Sequence, residues 1–306
     1  MSRKRIVIAG GSGFIGRALA REFLAAGREI VVLTRYPRSR NDGVREMSWD
    51  GEQAGEWVQC LDGAEAVINL AGKSINCPHT PKNLREIISS RINSVKAIGD
   101  GIAQVKTPPR VWVQASATGY YGDTKDILCD ETAPNGSDPL AKLCRDWEQA
   151  AAVVALPNTR RVILRIGFVL GREGGAFPVL ARLTKWFMGG AVGSGRQYLS
   201  WIHLADLMRM FALAVENESL AGTFNAVGPG PVTNAEFMRE LRQALHRPWS
   251  PPVPEFAVKL GARLMGSDPS LALISQRCAS KKIQQAGFSF RFLELAPALR
   301  DLCQKI

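Results

Sequence analysis

The 306-residue chain holds only three histidines and four tyrosines, no Cys-x-x-C pair, no long run of lysine and arginine, and no apolar stretch of membrane-spanning length. Each absence excludes a class. Its six cysteines, Cys60, Cys77, Cys129, Cys144, Cys278 and Cys303, stand apart with no histidine at ligand spacing, so they read as reduced thiols and no metal site is expected. Without a spanning segment no membrane partner is expected. "MSRKRIVIAG" enters its first strand at once and leaves no room for a signal peptide, which places the protein in the cytoplasm. A composition of 46% hydrophobic and 22% charged residues is that of a globular chain rather than a disordered one. The net charge of +11 is dispersed and not interleaved with aromatics, which fits a basic surface with a site for an anionic small molecule better than a nucleic-acid groove.

What is present is an alternation. "RIVIA", "EIVVLT", "EAVINL", "RVWVQAS" and "RRVILRI" are short runs, apolar on both faces, as strands of a covered parallel sheet are; "GTFNAV" near residue 223 reads as a further one. Between the first two, Ile15, Leu19 and Phe23 recur every four residues and give a helix one buried stripe. The pattern predicts an α/β fold, a doubly wound, Rossmann-like parallel sheet over residues 1–228, with a smaller, mainly helical lobe over 229–306. Thr233 or Asn234 can cap the first helix of that lobe.

Gly10, Gly13 and Gly16 stand between the first strand and the first helix. One glycine permits the tight turn, one lets the backbone approach a pyrophosphate, and one lets helix pack on strand, while the helix N-terminus offers free N–H groups to phosphate. About 20 residues on, where a carboxylate would receive the ribose hydroxyls of NAD, the second strand ends in Thr34 and Arg35, with Arg38 and Arg40 behind. A guanidinium suits a 2′-phosphate and a carboxylate repels it, so NADP(H) is the expected cofactor. Arg38 and Arg40 read equally as exposed loop residues. In "NLAG", Asn69 to Gly72, small residues let the backbone run beside the adenosine.

These motifs, with "SATGYYG", "DETAP", "RIGFVLG" and "SWIHLAD", resemble the extended, sugar-nucleotide-epimerase-like branch of the short-chain dehydrogenase/reductase superfamily. "NLAGKSI", "SSRINS", "CRDWE", "GSGRQYLSWIH" and "FNAVGPGPVTNAEF" are more narrowly similar to the group called epimerase family proteins, which carry an additional C-terminal domain. The resemblance implies that Gly10, Ser12, Gly13, Phe14 and Ile15 hold the pyrophosphate, with Gly16 closing the turn. It gives Thr34 and Arg35 to the 2′-phosphate and Leu70, Ala71 and Gly72 to the adenosine side. Glu86 and Arg91 would face the cofactor, Arg91 being also readable as a surface helix residue, and Val169 would lie near the nicotinamide.

Active members of the superfamily use a Ser or Thr, a Tyr and a Lys, the last two one helical turn apart. Here "PLAKLCRDWE", aligned on Glu148, puts Leu140 and Cys144 in the Tyr and Lys places, and Lys142 falls on another helix face. Ser116 or Thr118 can supply the hydroxyl. Tyr120 and Tyr121 are the local candidates for a proton donor, or else packed aromatics, and Ser116 with Tyr121 is the expected catalytic pair. "MGGAVGSGRQYLSWIH" reads as a wall of the substrate pocket, within a segment of about 172–203, through Arg196, Gln197, Trp201 and His203, or else as a glycine-rich loop crossing the sheet edge. His203 is either an acid–base group or structural. The expected function is an NADP(H)-dependent oxidoreductase or epimerase-like enzyme acting on a small substrate. The competing reading is a non-catalytic NADP(H) sensor; a basic nucleic-acid binder is least favoured.

Overall fold

Runs of valine and isoleucine become strands in the computed structural model wherever helices cover both faces, and the described residues are 4–264 and 266–304. In chain order the strands are β1 (Arg5–Ala9), β2 (Glu29–Thr34), β3 (Val44–Ser48), β4 (Ala66–Asn69), β5 (Val111–Ala117), β6 (Arg160–Ile166), β7 (Phe168–Leu170), β8 (Tyr198–Leu199), β9 (Trp201–His203), β10 (Gly222–Ala226) and β11 (Val232–Thr233). The helices are α1 (Phe14–Ala25), α2 (Pro81–Gln104), α3 (Pro139–Ala152), α4 (Phe177–Lys185), α5 (Leu204–Glu216), α6 (Asn234–Ala244), α7 (Glu255–Leu264), α8 (Ser270–Leu273), α9 (Lys281–Gln285) and α10 (Leu295–Cys303).

Seven parallel strands form one sheet in the order β10-β6-β5-β4-β1-β2-β3, so the chain reverses direction of travel between β1 and β4. Ligands of doubly wound sheets bind outside the strand ends at such a reversal. Alternate residues of β1 and β2 feed two cores. Ile6, Ile8, Ile30 and Val32 pack under α1 and α5, whereas Val7, Ala9, Val31 and Leu33 pack under α2 and α3. Leu19 and Phe23 are buried as their spacing predicts, and Ile15 packs at the margin of the same core. β3 was not among the predicted strands: it is an edge strand of sequence VREMS that buries only Val44, so it lacks an apolar run.

Helix starts follow from local chemistry. Asp138 caps α3 by accepting from the N–H groups of Leu140 and Ala141 at 2.9 and 3.0 Å, and Thr233 with Glu236 forms a capping box on α6. α1 differs: Gly13 is its N-cap, no side chain caps it, and its first turn carries no acid.

The C-terminal region shares a third core with the rest of the chain, in which Phe237, Leu241, Leu295 and Leu299 pack with Leu170, Phe177, Ala181 and Trp201. That core crosses the sequence position at 228, joining the segment after β7 to α6 and α10. Ile283 of α9 and Phe288 pack back on the sheet. Among the described residues no helix is long and apolar enough to cross a membrane.

Candidate functional site

The three glycines of the first turn have separate physical tasks. Gly10 has φ +76°, and a Cβ there would lie 2.9 Å from the carbonyl carbon of Leu70. A Cβ on Gly16 would lie 2.5 Å from the Cα of Gly11, so Gly16 allows the helix to close on the turn. Gly13 has ordinary extended geometry, and a Cβ there would meet only the Gly10 carbonyl, at 3.3 Å. Among the described residues no other atom beyond its chain neighbours lies within 4 Å of that position, which stands at the uncapped end of α1 and fits an anion. Ser12 is exposed at the rim. Phe14 turns away and packs into the loop after β7, where a Cβ on Gly171 or Gly174 would strike its ring.

At the end of β2, Thr34 is half-buried and Arg35 is exposed, with no side-chain partner among the described residues. Arg40 is committed elsewhere: its guanidinium bonds Asp42 and Glu46, both at 3.0 Å, and the bond from Arg40 holds the Asp42 carboxyl down at about 2. Arg38 donates through its backbone N–H to Glu46 at 2.8 Å. Beyond β4, the Leu70 N–H bonds the Ala9 carbonyl at 2.9 Å and the Ala71 N–H bonds the Asn69 side chain at 3.0 Å, fixing the backbone across the reversal. Gly72 lies under Arg91, whose Cγ would be 3.0 Å from a Cβ at that position. The Arg91 guanidinium donates to the carbonyls of Lys73 and Ile87 at 2.9 and 3.0 Å and lies 5.0 Å over the Trp147 ring; burial lowers its pKa. Arg91 is therefore a half-buried residue of the site and not a free surface arginine. Glu86 pairs with Lys73, which also donates to Asn83 at 2.7 Å. The turn, the free end of α1, Arg35 and the β4 backbone together fit a dinucleotide phosphate at its 2′ end.

The expected reaction centre is a closed polar row. Ser116, Arg165 and Asn225 are lateral neighbours on β5, β6 and β10. Arg165 donates to both oxygens of Glu148 at 2.8 Å, Ser116 donates to Glu148 at 2.6 Å, and Arg165 also donates to the Tyr121 hydroxyl at 2.8 Å. Tyr121 passes its own proton toward Asn225 at 2.8 Å. Burial pushes the Tyr121 pKa above its ordinary value, so the phenol is a neutral member of this row with its hydroxyl occupied on both sides. This placement runs against the expectation of Tyr121 as proton donor, because a donor has to reach the substrate. Tyr120 stacks on the Arg165 guanidinium, 3.4 Å from ring centroid to Cζ. Cys144 is buried, and its thiol is pushed up to about 12 by that burial; Leu140 is half-buried.

The segment expected as a pocket wall proves mostly structural. Trp201 is buried in the lobe core and donates from Nε1 to the Gly230 carbonyl at 2.8 Å. His203 caps α5, its Nδ1 accepting from the Ala205 N–H at 3.1 Å, and its ring packs on Phe292 at 4.0 Å. Gln197 donates to the carbonyls of Val192 and Ala272 at 3.0 and 3.2 Å, and Gly190 is a glycine because Pro251 and Pro252 lie against it. Arg196 remains exposed at the rim. Thr118 is buried and donates to Gln276 at 2.7 Å. Val169 pairs with Ile202 in the small β7–β9 sheet, from which the glycine loop folds back on Phe14. Residues 275–279 thread between the 124–129 and 198–200 segments: Gln276 N–H bonds Tyr198 at 2.9 Å, Cys278 N–H bonds Ser200 at 2.8 Å, and the Ala279 carbonyl accepts from Asn225 at 2.8 Å.

The profile of the NAD dependent epimerase/dehydratase family matches residues 6–228. The chain belongs to this family. A second profile, a domain of unknown function (DUF1731), matches residues 253–302 of this epimerase/dehydratase family member. It is 35% identical to the epimerase family protein SDR39U1 homolog, chloroplastic, of Arabidopsis thaliana, covering 99% of this chain and 88% of that protein. It is 34% identical to epimerase family protein YfhF of Bacillus subtilis, covering 97% of each. In three dimensions it is similar to human epimerase family protein SDR39U1 (isoform2), crystallised with NADPH, at a TM-score of 0.89 and 30% identity, over 99% of this chain and all of that one.

Sequence reasoning about this family member missed Glu148, Arg165, Asn225 and Gln276 as a connected set. One signal was available: Arg165 follows the apolar run Val162–Leu164 within β6, and a charge there requires a buried partner.

Proposed function

We propose that the chain binds NADP(H) and acts as an epimerase-like oxidoreductase on a small substrate, anionic ones included, without a Tyr–Lys proton relay. The observation that carries this reading is the open Gly13 cradle at the uncapped end of α1, with unpartnered Arg35 at the end of the neighbouring strand. The NADPH in the human relative's crystal supports the same cofactor. When bound, the cofactor supplies hydride exchange with a carbonyl or alcohol carbon. The unpaired backbone N–H groups of Phe14 and Ile15 at the start of α1 hold pyrophosphate over the open face of Gly13, Thr34 and Arg35 take the 2′-phosphate, and the Asn69-braced backbone of Leu70 and Ala71 borders the adenosine. Ser116, already donating to Glu148, keeps lone pairs with which to accept a hydrogen bond from a substrate hydroxyl and so orient it. Thr118, which donates to Gln276, keeps the same capacity.

A second reading, an NADP(H) sensor, is favoured by Leu140 and Cys144 in the places of the two reactive groups. The experiment is a turnover panel, in which NADPH with ketones and aldehydes and NADP⁺ with alcohols and sugar nucleotides are followed at 340 nm and by product analysis. General acid–base help is worth about 10²- to 10⁴-fold, so slow or absent turnover of generic carbonyls is expected, with activity confined to particular substrates and reduced by Ser116→Ala. Binding of NADPH without turnover of any substrate supports the sensor. Fast turnover of common ketones contradicts both.

A further inference from the structure

Two helix ends meet at one corner of the C-terminal lobe and present aromatic residues to solvent. α4 runs out into Trp186, Phe187 and Met188, which are 73%, 51% and 52% exposed, and the chain beyond α6 leads to Trp249, 66% exposed. The two segments are tied together. Arg247 donates from Nε to the Lys185 carbonyl at 3.1 Å and its guanidinium lies 5.3 Å over the Phe187 ring. The Gly189 N–H bonds Ser250 at 3.3 Å, and Arg242 donates to the Gly189 carbonyl at 2.7 Å.

Three features set this corner apart from an ordinary surface. Phe187 has φ +60°, in the left-handed region that favours glycine at a helix end, so a bulky aromatic is kept at a conformational cost and then left in water. Residues 176–191 and 241–254 contain Arg182, Lys185, Arg242 and Arg247, together with His246, and no aspartate or glutamate. The chain leaving the corner enters α7, which exposes Phe256, Leu260 and Leu264 at spacings of four beside Lys259 and Arg263.

We propose that this corner docks on an anionic phospholipid surface, Trp186, Phe187, Met188 and Trp249 entering the headgroup zone while the surrounding arginines meet lipid phosphate. Tryptophan at the interface, a thioether and aliphatic side chains beneath it, and cations around it are the chemistry of a peripheral membrane contact. A second copy of the chain would set the same cationic patch against itself, since a two-fold interface is self-complementary. Single-stranded nucleic acid would use the aromatic faces but leaves the exposed Met188 without a role. The expectation of no membrane partner rested on the lack of a spanning segment, which surface docking does not require. The proposal does not depend on the cofactor reading.

Tryptophan emission tests it cleanly, because Trp49, Trp57, Trp112, Trp147 and Trp201 are buried and only Trp186 and Trp249 can change environment. The full chain is mixed with vesicles of phosphatidylglycerol and phosphatidylcholine in equal parts, and with vesicles of phosphatidylcholine alone. A blue shift and co-sedimentation with the anionic vesicles are expected, with apparent affinity falling about tenfold or more on pure phosphatidylcholine or in about 0.5 M salt. Trp186→Ser with Trp249→Ser abolishes the sedimentation and leaves the melting temperature unchanged. The proposal is overturned if anionic vesicles cause no shift, or if the double variant sediments as well as the parent, which would assign binding to the general basic surface. It is equally overturned if poly(U) rather than lipid perturbs the emission, or if the two tryptophans are buried by self-association.

Discussion

At the scale of single residues, one turn holds both an open glycine and a packing glycine. Gly13 and Gly16 belong to the same motif, yet a Cβ at Gly13 meets one carbonyl at 3.3 Å and a Cβ at Gly16 would lie 2.5 Å from backbone. Gly13→Ala should therefore retain a cooperative melt close to that of the parent while losing most NADPH-induced stabilisation. Gly16→Ala should cost about 1–3 kcal/mol in the absence of any ligand, as overpacking does. Denaturant melts with and without NADPH separate the two, and equal behaviour of the variants contradicts the division of tasks. His203 gives a pH test. Burial of its ring, packed on Phe292, lowers its pKa, outweighing Asp301 at 3.5 Å and Asp206, with Arg291 acting in the same direction as burial. The unfolded chain binds the proton first, from about pH 6.5 downward. The stability tied to the neutral ring is thus complete above that pH and is lost as pH falls toward the folded value. His203→Asn, which can still cap α5, should lose less stability than the parent between about pH 7.5 and 5.5. A greater loss in the variant would reverse the assigned sign.

At the scale of elements, the polar row across β5, β6 and β10 is the least expected feature. Arg165 and Glu148 are both buried and bond through two contacts of 2.8 Å, so removing one charge strands the other. Glu148→Gln should destabilise by about 3–5 kcal/mol, read from chemical denaturation. A loss within about 0.5 kcal/mol, ordinary for a surface position, would mean that the row is not closed as described. The row was not legible beforehand because it depends on register. Ser116, Arg165 and Asn225 are brought side by side by strand pairing over more than a hundred residues of sequence, and the chain prints no register. β1 and β2 were legible because burial on both faces forces continuous apolar runs. β3 was not, since an edge strand with half-exposed faces has no such constraint.

At the scale of the whole molecule, the lobe is a closing piece rather than an appendage. Residues 275–279 lie along Tyr198 and Ser200 and reach Asn225 and Thr118, while Arg172 in the loop after β7 donates to the Leu302 carbonyl at 3.0 Å. This explains why local pattern left the roles of Trp201 and His203 open: their partners, Gly230 and Phe292, arrive from later in the sequence. The glycine turn was legible because it is local, running from β1 into α1, with the expected selector, Arg35, just past the end of β2. Cofactor choice is accordingly the central claim, and a calorimetric titration of the whole chain with NADPH and with NADH tests it most directly. NADPH should bind at least about tenfold tighter, one charge-assisted phosphate contact being worth roughly 1.5–3 kcal/mol, and Arg35→Asp should remove most of that preference. Equal affinities for the two cofactors in the parent protein, or an undiminished preference in Arg35→Asp, would contradict the account.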